Sequence, residues 1–157
     1  MGKARKIGIA ALTAILLSAC SISPEPINYG SDSCAFCKMS IVDQRFGSEI
    51  VTKKGKVYKF DAIECMVNMV KVGDIQAEDV KLYLVTHYTD PAQLTSAENS
   101  IYLQASEIKS PMGANLSAFP DKESVQPFVT GEGNLYQWND LISSSKNILE
   151  QHLSVTK

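Results

Sequence analysis

The sequence has few of the features by which enzymes or membrane-spanning proteins are recognised. It contains no glycine-rich phosphate loop, no nucleophile elbow and no paired carboxylates at catalytic spacing. Its N-terminal apolar run, residues 7–17, is eleven residues long, whereas a helix needs roughly 20 to cross a bilayer. We therefore predict a protein that is not an enzyme, and we interpret the apolar run as part of a targeting segment.

Basic residues are too few for a nucleic-acid-binding surface. Without residues 1–19 the chain has 12 Lys and Arg against 17 Asp and Glu, a net charge of about −5. Proteins that bind nucleic acid neutralise phosphates with clusters of Lys and Arg, and the sequence has no such cluster. We therefore predict no nucleic-acid partner. The remaining 138 residues suffice for one domain with its own core.

The N-terminus has the pattern of a bacterial export signal. Three basic residues precede the apolar run, as in a signal peptide. The run ends in Leu17 to Cys20, which is similar to a lipobox and predicts lipidation of Cys20; an ordinary secretory signal with a free Cys20 is the alternative. We predict a leader at 1–19, a lipid tether and linker at 20–31, and a single domain at 32–157. The mature protein is then exported to the periplasmic side and anchored to a membrane, with Ser21 favouring the outer membrane.

The cysteine count indicates that a thiol is available for chemistry. If Cys20 is lipidated, Cys34, Cys37 and Cys65 remain. Paired cysteines outside the cytoplasm form disulfides by default. Because three is an odd number, at least one thiol is free or bound to a ligand.

The densest group of sulfur atoms lies in residues 32–41. Cys34, Cys37 and Met39 fall within six residues, and thiolate and thioether are soft ligands that together favour Cu(I). In a strand, residues i and i+2 share a face, so we expect Cys37 and Met39 to bind one ion. A disulfide between Cys34 and Cys37 is the competing interpretation. Structural zinc is disfavoured because it requires four Cys or His ligands, and a thioredoxin-type dithiol is disfavoured because no strand precedes the pair.

Hydrophobic periodicity and turn residues predict a mixture of short strands and helices. A helix beginning at Asp61, with Glu64 completing a capping box, is apolar over most of its surface and is expected to lie between two layers. It carries Cys65, which is either a core residue or a further ligand. A polar loop is expected at 90–100. The predicted strands are 48–52, 57–60, 80–86, 101–104, 116–119 and 135–138, with a short helix from Asp121 and a C-terminal helix at 139–153.

An internal similarity suggests two related halves. Residues 50–63 and 128–141 align without a gap, and both have the pattern of a hairpin, with a strand, a turn at Gly55 or Gly133, and a second strand. An aromatic residue and an Asp or Asn before a helix follow in both. Coincidence is the alternative, because strand–turn–strand patterns are common. If the halves are related by a pseudo-twofold axis, we expect the loop with Met112 to face the thiols.

The chain resembles the NosL family, copper-binding lipoproteins that accompany nitrous-oxide reductase. The resemblance covers essentially the whole mature chain in order, and it is specific in combination although no single piece is. The matching pieces are Leu17 to Cys20, Cys34 to Ile41, Phe46 to Ile50, Gly55 to Asp61, Cys65 with Met66, Ser110 to Gly113, Ala118 with Phe119, and Gly133 to Trp138.

The resemblance implies an α+β fold of two related ββα-type modules, similar to that of organomercurial lyase, whose activity does not follow from the fold. It implies a Cu(I) carrier for assembly of the reductase copper–sulfide centre, with the reductase apoprotein and the NosDFY-type membrane transporter as partners. The family's Cys-x-Met motif falls on Cys37 and Met39. Here Lys38 replaces the usual glycine and Cys34 is an additional thiol.

We therefore expect Cys37 and Met39 to be the primary copper ligands and Cys34 a further one, with Met112 or Cys65 as candidates to complete the site. Two alternatives from other classes stay open. One is a thiol–disulfide protein that uses Cys34 and Cys37. The other is a metal-free scaffold lipoprotein of the same assembly system.

Overall fold

A computed structural model describes residues 22–131 and 133–143. The predicted leader, Cys20 and most of the predicted C-terminal helix lie outside these ranges. Within the described ranges no helix combines the length and the apolar character needed to cross a membrane. The strands are β1 Ser48–Thr52, β2 Val57–Phe60, β3 Val80–Thr86, β4 Leu94–Ser96, β5 Ile101–Gln104, β6 Leu116–Phe119 and β7 Asn134–Gln137; the helices are α1 Ile63–Lys71, α2 Lys122–Val125 and α3 Trp138–Ser143.

The strands form two antiparallel sheets, in the orders β2-β1-β3-β4 and β6-β5-β7. The α+β class is confirmed. The hairpin between β1 and β2 forms as predicted, with Gly55 at φ 80°, a conformation that glycine adopts without steric cost. β4 lies within the expected polar loop 90–100. Its three residues are too few to show periodicity, and they form a strand because they pair with the edge of β3.

Helix α1 lies between the two sheets, as predicted. It packs against β1 and β2 of the first sheet, β6 of the second and α3, and its first five residues are buried. The predicted capping box is wrong, because Ala62 is the N-cap and no side chain caps it. The Asp61 carboxylate instead accepts a hydrogen bond from the backbone N–H of Val42 at 3.4 Å. Asp61 therefore holds a neighbouring loop, and the helix start relies on packing.

The second half departs from the predicted hairpin. The strand that the internal similarity predicts from residue 128 does not form. Residues 126–128 are a helical turn, in keeping with Pro127, which sets φ near −65° and has no N–H to donate. Strand β7 pairs with β5, and α3 begins at the next residue, whereas two residues separate β2 from α1. The second module is thus built from β5, β6, β7 and α3.

The N-terminal strap, residues 24–31, packs onto the first sheet. The backbone N–H of Glu25 donates to Glu49 Oε1 at 3.1 Å, and Lys59 Nζ donates to the carbonyl of Pro26 at 2.8 Å. Burial raises the pKa of Glu49 to about 7. Most of the segment predicted as a linker, 20–31, therefore belongs to the folded domain. Composition alone did not reveal this, because its prolines and serines suit a linker and a surface strap equally well.

Gly47 allows the strap to lie close to the sheet. A Cβ at Gly47 would overlap the Tyr29 hydroxyl and approach Ile27 Cδ1 to 3.1 Å. We expect Gly47→Ala to lower the free energy of unfolding by about 1–3 kcal/mol, the usual range for overpacking, as measured by chemical denaturation. In a Tyr29→Phe background, which removes the overlapping oxygen, the same substitution should cost less. Equal costs in both backgrounds would contradict this contact.

Candidate metal centre

Three cysteine thiols converge beside α1. The sulfur atoms of Cys34, Cys37 and Cys65 all lie within 4.8 Å of one another, and no other group of three or more Cys, His, Asp or Glu in 22–131 and 133–143 has a metal-binding arrangement. All three are free thiols. Cys34 and Cys65 are each 1% exposed, whereas Cys37 is half-buried. The cluster therefore has two inner thiols and one that reaches the surface.

A closed turn positions the first two thiols. Ser33 and Ser40 form an isolated antiparallel bridge, and between them the backbone N–H of Cys34 donates to the carbonyl of Met39 at 2.8 Å. The N–H of Lys38 donates back to the carbonyl of Cys34 at 3.1 Å. These bonds close residues 34–39, the cysteine turn, on itself and aim Cys34 towards the core.

The cysteine turn is fastened to β2. The backbone N–H of Ala35 donates to the carbonyl of Lys59 at 2.8 Å. The Lys59 ammonium forms an ion pair with Asp32 at 2.9 Å. A hydrogen bond from the backbone N–H of Asn28, and after it the bond from Lys59, holds the pKa of Asp32 below its usual range. Because β2 leads into α1, this attachment also sets the position of Cys65 relative to the turn.

The thiols share their protons unequally. The pKa of Cys34 is lowered to about 5, chiefly by a hydrogen bond from the Cys65 thiol and further by the backbone N–H groups of Asp61 and two turn residues. The pKa of Cys65 is raised, chiefly by the same hydrogen bond and also by burial, and burial raises that of Cys37. The cluster therefore favours one thiolate at Cys34 with two thiols around it. Thiolate is the form that binds metal.

The two candidate thioethers lie at the surface. Met39 is 55% exposed and Met112 is 41% exposed. The expectation that Cys37 and Met39 share the face of a strand is wrong, because they lie in a turn and Lys38 between them has φ 66°. Met39 is therefore an exposed residue of the same turn that carries Cys37.

The loop that carries Met112 is fastened next to Cys65. The Ser110 hydroxyl donates to Glu64 Oε1 and accepts from the backbone N–H of Asn115 at 2.8 Å. Glu64 is 2% exposed, and burial raises its pKa. Sequence reasoning assigned Glu64 to a capping box and missed this role. A carboxylate within an apolar helix, adjacent to Cys65, was the available signal.

Comparisons with known proteins agree with this architecture. The family model NosL matches residues 27–145. The fold is similar to that in the crystal structure of the copper chaperone NosL from Shewanella denitrificans, with a TM-score of 0.65 and 18% sequence identity over 76% of this chain and 96% of that chain. At 18% identity this similarity establishes the fold alone. No curated protein has a matching sequence.

Lys38 occupies a backbone conformation that suits glycine. Its φ of 66° is left-handed, which costs an L-residue about 1–2 kcal/mol. Glycine avoids this cost, but part of the resulting stabilisation is offset because glycine has more conformational freedom in the unfolded chain. We expect Lys38→Gly to raise the free energy of unfolding by about 0.5–1 kcal/mol, as measured by chemical denaturation.

Lys38→Ala is the matched control. It keeps the left-handed requirement and removes the 2.5 Å bond from Lys38 Nζ to the carbonyl of Ala35, so it should not stabilise the fold. If both variants have the same stability, the turn does not depend on this conformation.

Proposed function

Because the chain belongs to the NosL family, we propose that it is a lipid-anchored Cu(I) metallochaperone that delivers copper for assembly of the nitrous-oxide reductase copper–sulfide centre. The convergence of three thiols within 4.8 Å is the observation that carries the proposal. The Shewanella protein with a similar fold is a copper chaperone, which supports it. Membership of this family also agrees with the prediction that the chain is not an enzyme.

The donor set suits a soft monovalent ion. Metal–thiolate bonds of about 2.3 Å, the length known for zinc, would place three sulfur ligands of a planar site about 4 Å apart. The cluster reaches this spacing with shifts of less than about 1 Å from its separations of at most 4.8 Å. Sulfur ligands favour Cu(I), and a fourth Cys or His ligand, which structural zinc requires, is not part of the group in the described ranges.

We assign Cys37 and Met39 as the ligands that exchange copper. Cys37 is half-buried and Met39 is exposed, so both can be reached by ligands of another protein. Cys34 and Cys65 form the inner side of the site. Met112, exposed on a loop fastened beside Cys65 through Glu64, is a further exchange ligand. Because the thiols of Cys34 and Cys65 are buried and the thioethers of Met39 and Met112 are exposed, copper can move outwards by exchanging inner ligands for outer ones.

Location and partners complete the proposal. Lipidation at Cys20 would hold the domain at the periplasmic side, at the outer membrane in preference to the inner. The partners are the reductase apoprotein and the NosDFY-type transporter. A thiol–disulfide protein that uses Cys34 and Cys37 is the second candidate, which the mutual distance of the free thiols favours.

Cu(I) affinity tests the carrier site. We expect Cys37→Ser to weaken Cu(I) binding by more than about 100-fold, because even the loss of a residue that only orients a ligand typically costs 10–100-fold. Met39→Ala should weaken binding and remove one sulfur scatterer from the X-ray absorption spectrum of the copper. The measurement is competition against a Cu(I) chelator, with circular dichroism to verify the fold.

Val42→Ala is the matched control for Met39→Ala. Val42 is 62% exposed, lies near the same turn and has no metal-binding group, so its truncation should leave the affinity unchanged. Unchanged affinity in Cys37→Ser would overturn the carrier assignment. Cu(I) binding that is indifferent to Met39→Ala would move the site to the thiols of Cys34, Cys37 and Cys65.

Copper delivery is tested in cells that reduce nitrous oxide. In a strain lacking this gene, we expect the wild-type chain to restore the copper–sulfide centre of the reductase, and Cys37→Ser to be produced at the same level without restoring it. The readouts are the copper content of the purified reductase and nitrous-oxide consumption. A silent Cys37→Ser would favour a metal-free scaffold.

A further inference from the structure

We propose that the buried Cys34 and Cys65 pair reduces cupric ion and that Cys37, with Met39, retains the cuprous product. This inference rests on the proposed Cu(I) function and adds an electron-transfer step to it. It divides the thiol cluster into two parts with different tasks.

The two buried thiols are placed to react with each other. Cys34 and Cys65 are each 1% exposed, and they come from separate elements, the cysteine turn and α1. A disulfide requires the two sulfur atoms to approach to about 2.05 Å, from a present separation of at most 4.8 Å. The new bond would join the turn to the helix that it already packs against.

The surface thiol is then left for the metal. Cys37 is the half-buried member of the cluster, and Met39 next to it is 55% exposed. A disulfide between Cys34 and Cys37 would consume the thiol that copper meets first. A disulfide between Cys34 and Cys65 leaves one thiol and one nearby thioether, both soft donors, on the outer side.

The reaction balances with cupric ion as the oxidant. A dithiol–disulfide couple carries two electrons, and each cupric ion accepts one. Two cupric ions therefore become two cuprous ions while the Cys34 thiolate and the Cys65 thiol form one S–S bond, and the proton of Cys65 goes to water. One cuprous ion stays on Cys37 and Met39, where it replaces the proton of the Cys37 thiol, and the other leaves the protein. The step is a single turnover, because the disulfide must be reduced before it can repeat.

The test uses the reduced full chain in detergent, without oxygen, mixed with excess cupric sulfate and a Cu(I)-selective chromogenic chelator. We expect about two cuprous ions per chain, as a two-electron couple requires, and peptide mapping should find Cys34 joined to Cys65 within one chain. Absence of cuprous ion would overturn the inference, and so would a disulfide that joins Cys34 to Cys37.

Two variants test the source of the electrons. Cys65→Ser should lose the reduction although Cys34 and Cys37 remain, whereas Val42→Ala, which keeps all three thiols, should keep it. Reduction that persists in Cys65→Ser would overturn the pairing. Direct loading of the reduced wild-type chain with Cu(I) separates the two proposals. If Cu(I) binds but cupric ion is not reduced, only this inference fails; if Cu(I) does not bind, the proposed carrier function fails.

Discussion

The hydrogen bond from Ala35 N–H to the Lys59 carbonyl, 2.8 Å long, is the contact on which the geometry of the thiols depends. It fastens the cysteine turn to β2, the strand that leads directly into α1. Cys34 and Cys37 arrive on the turn and Cys65 on the helix, so their sulfur atoms can meet only while turn and strand are joined. Lys59 reinforces the joint through its ion pair with Asp32. Backbone hydrogen bonding of the cysteine turn to the first sheet therefore brings the three thiols together without a bound metal.

The elements with strong local signals could be predicted from the sequence. The hairpin around Gly55, the seven-residue β3 and the apolar α1 were all identified, because periodicity and a turn residue specify each of them within a short window. The positions of β5 and β6 were predicted as well, whereas β4 and the pairing of β7 depend on tertiary contacts. β4 forms because β3 offers an edge, and β7 pairs with β5 instead of with the segment just before it. No short window of sequence contains that information.

The candidate site followed the same division. The closeness of Cys34 and Cys37 is visible in the sequence, since they lie three residues apart. The approach of Cys65 depends on how α1 packs, and periodicity alone left that residue undecided between core and ligand. The left-handed Lys38 was signalled only by the family resemblance, which places glycine there. Glu64 and Ser110 are hydrogen-bonded although they lie 46 positions apart in the sequence. At that separation the spacing of residues does not predict a contact.

The packed strap determines how far the domain can move from a membrane. The backbone of Glu25 is hydrogen-bonded to Glu49 of the first sheet. With Cys20 lipidated as proposed, the chain between the lipid and this contact runs only from residue 20 to residue 25. Five Cα steps of at most about 3.6 Å span at most about 18 Å. A domain held so close to its lipid anchor could present the thiol cluster to partner proteins beside it on the same membrane. It could not extend to partners on the opposite membrane.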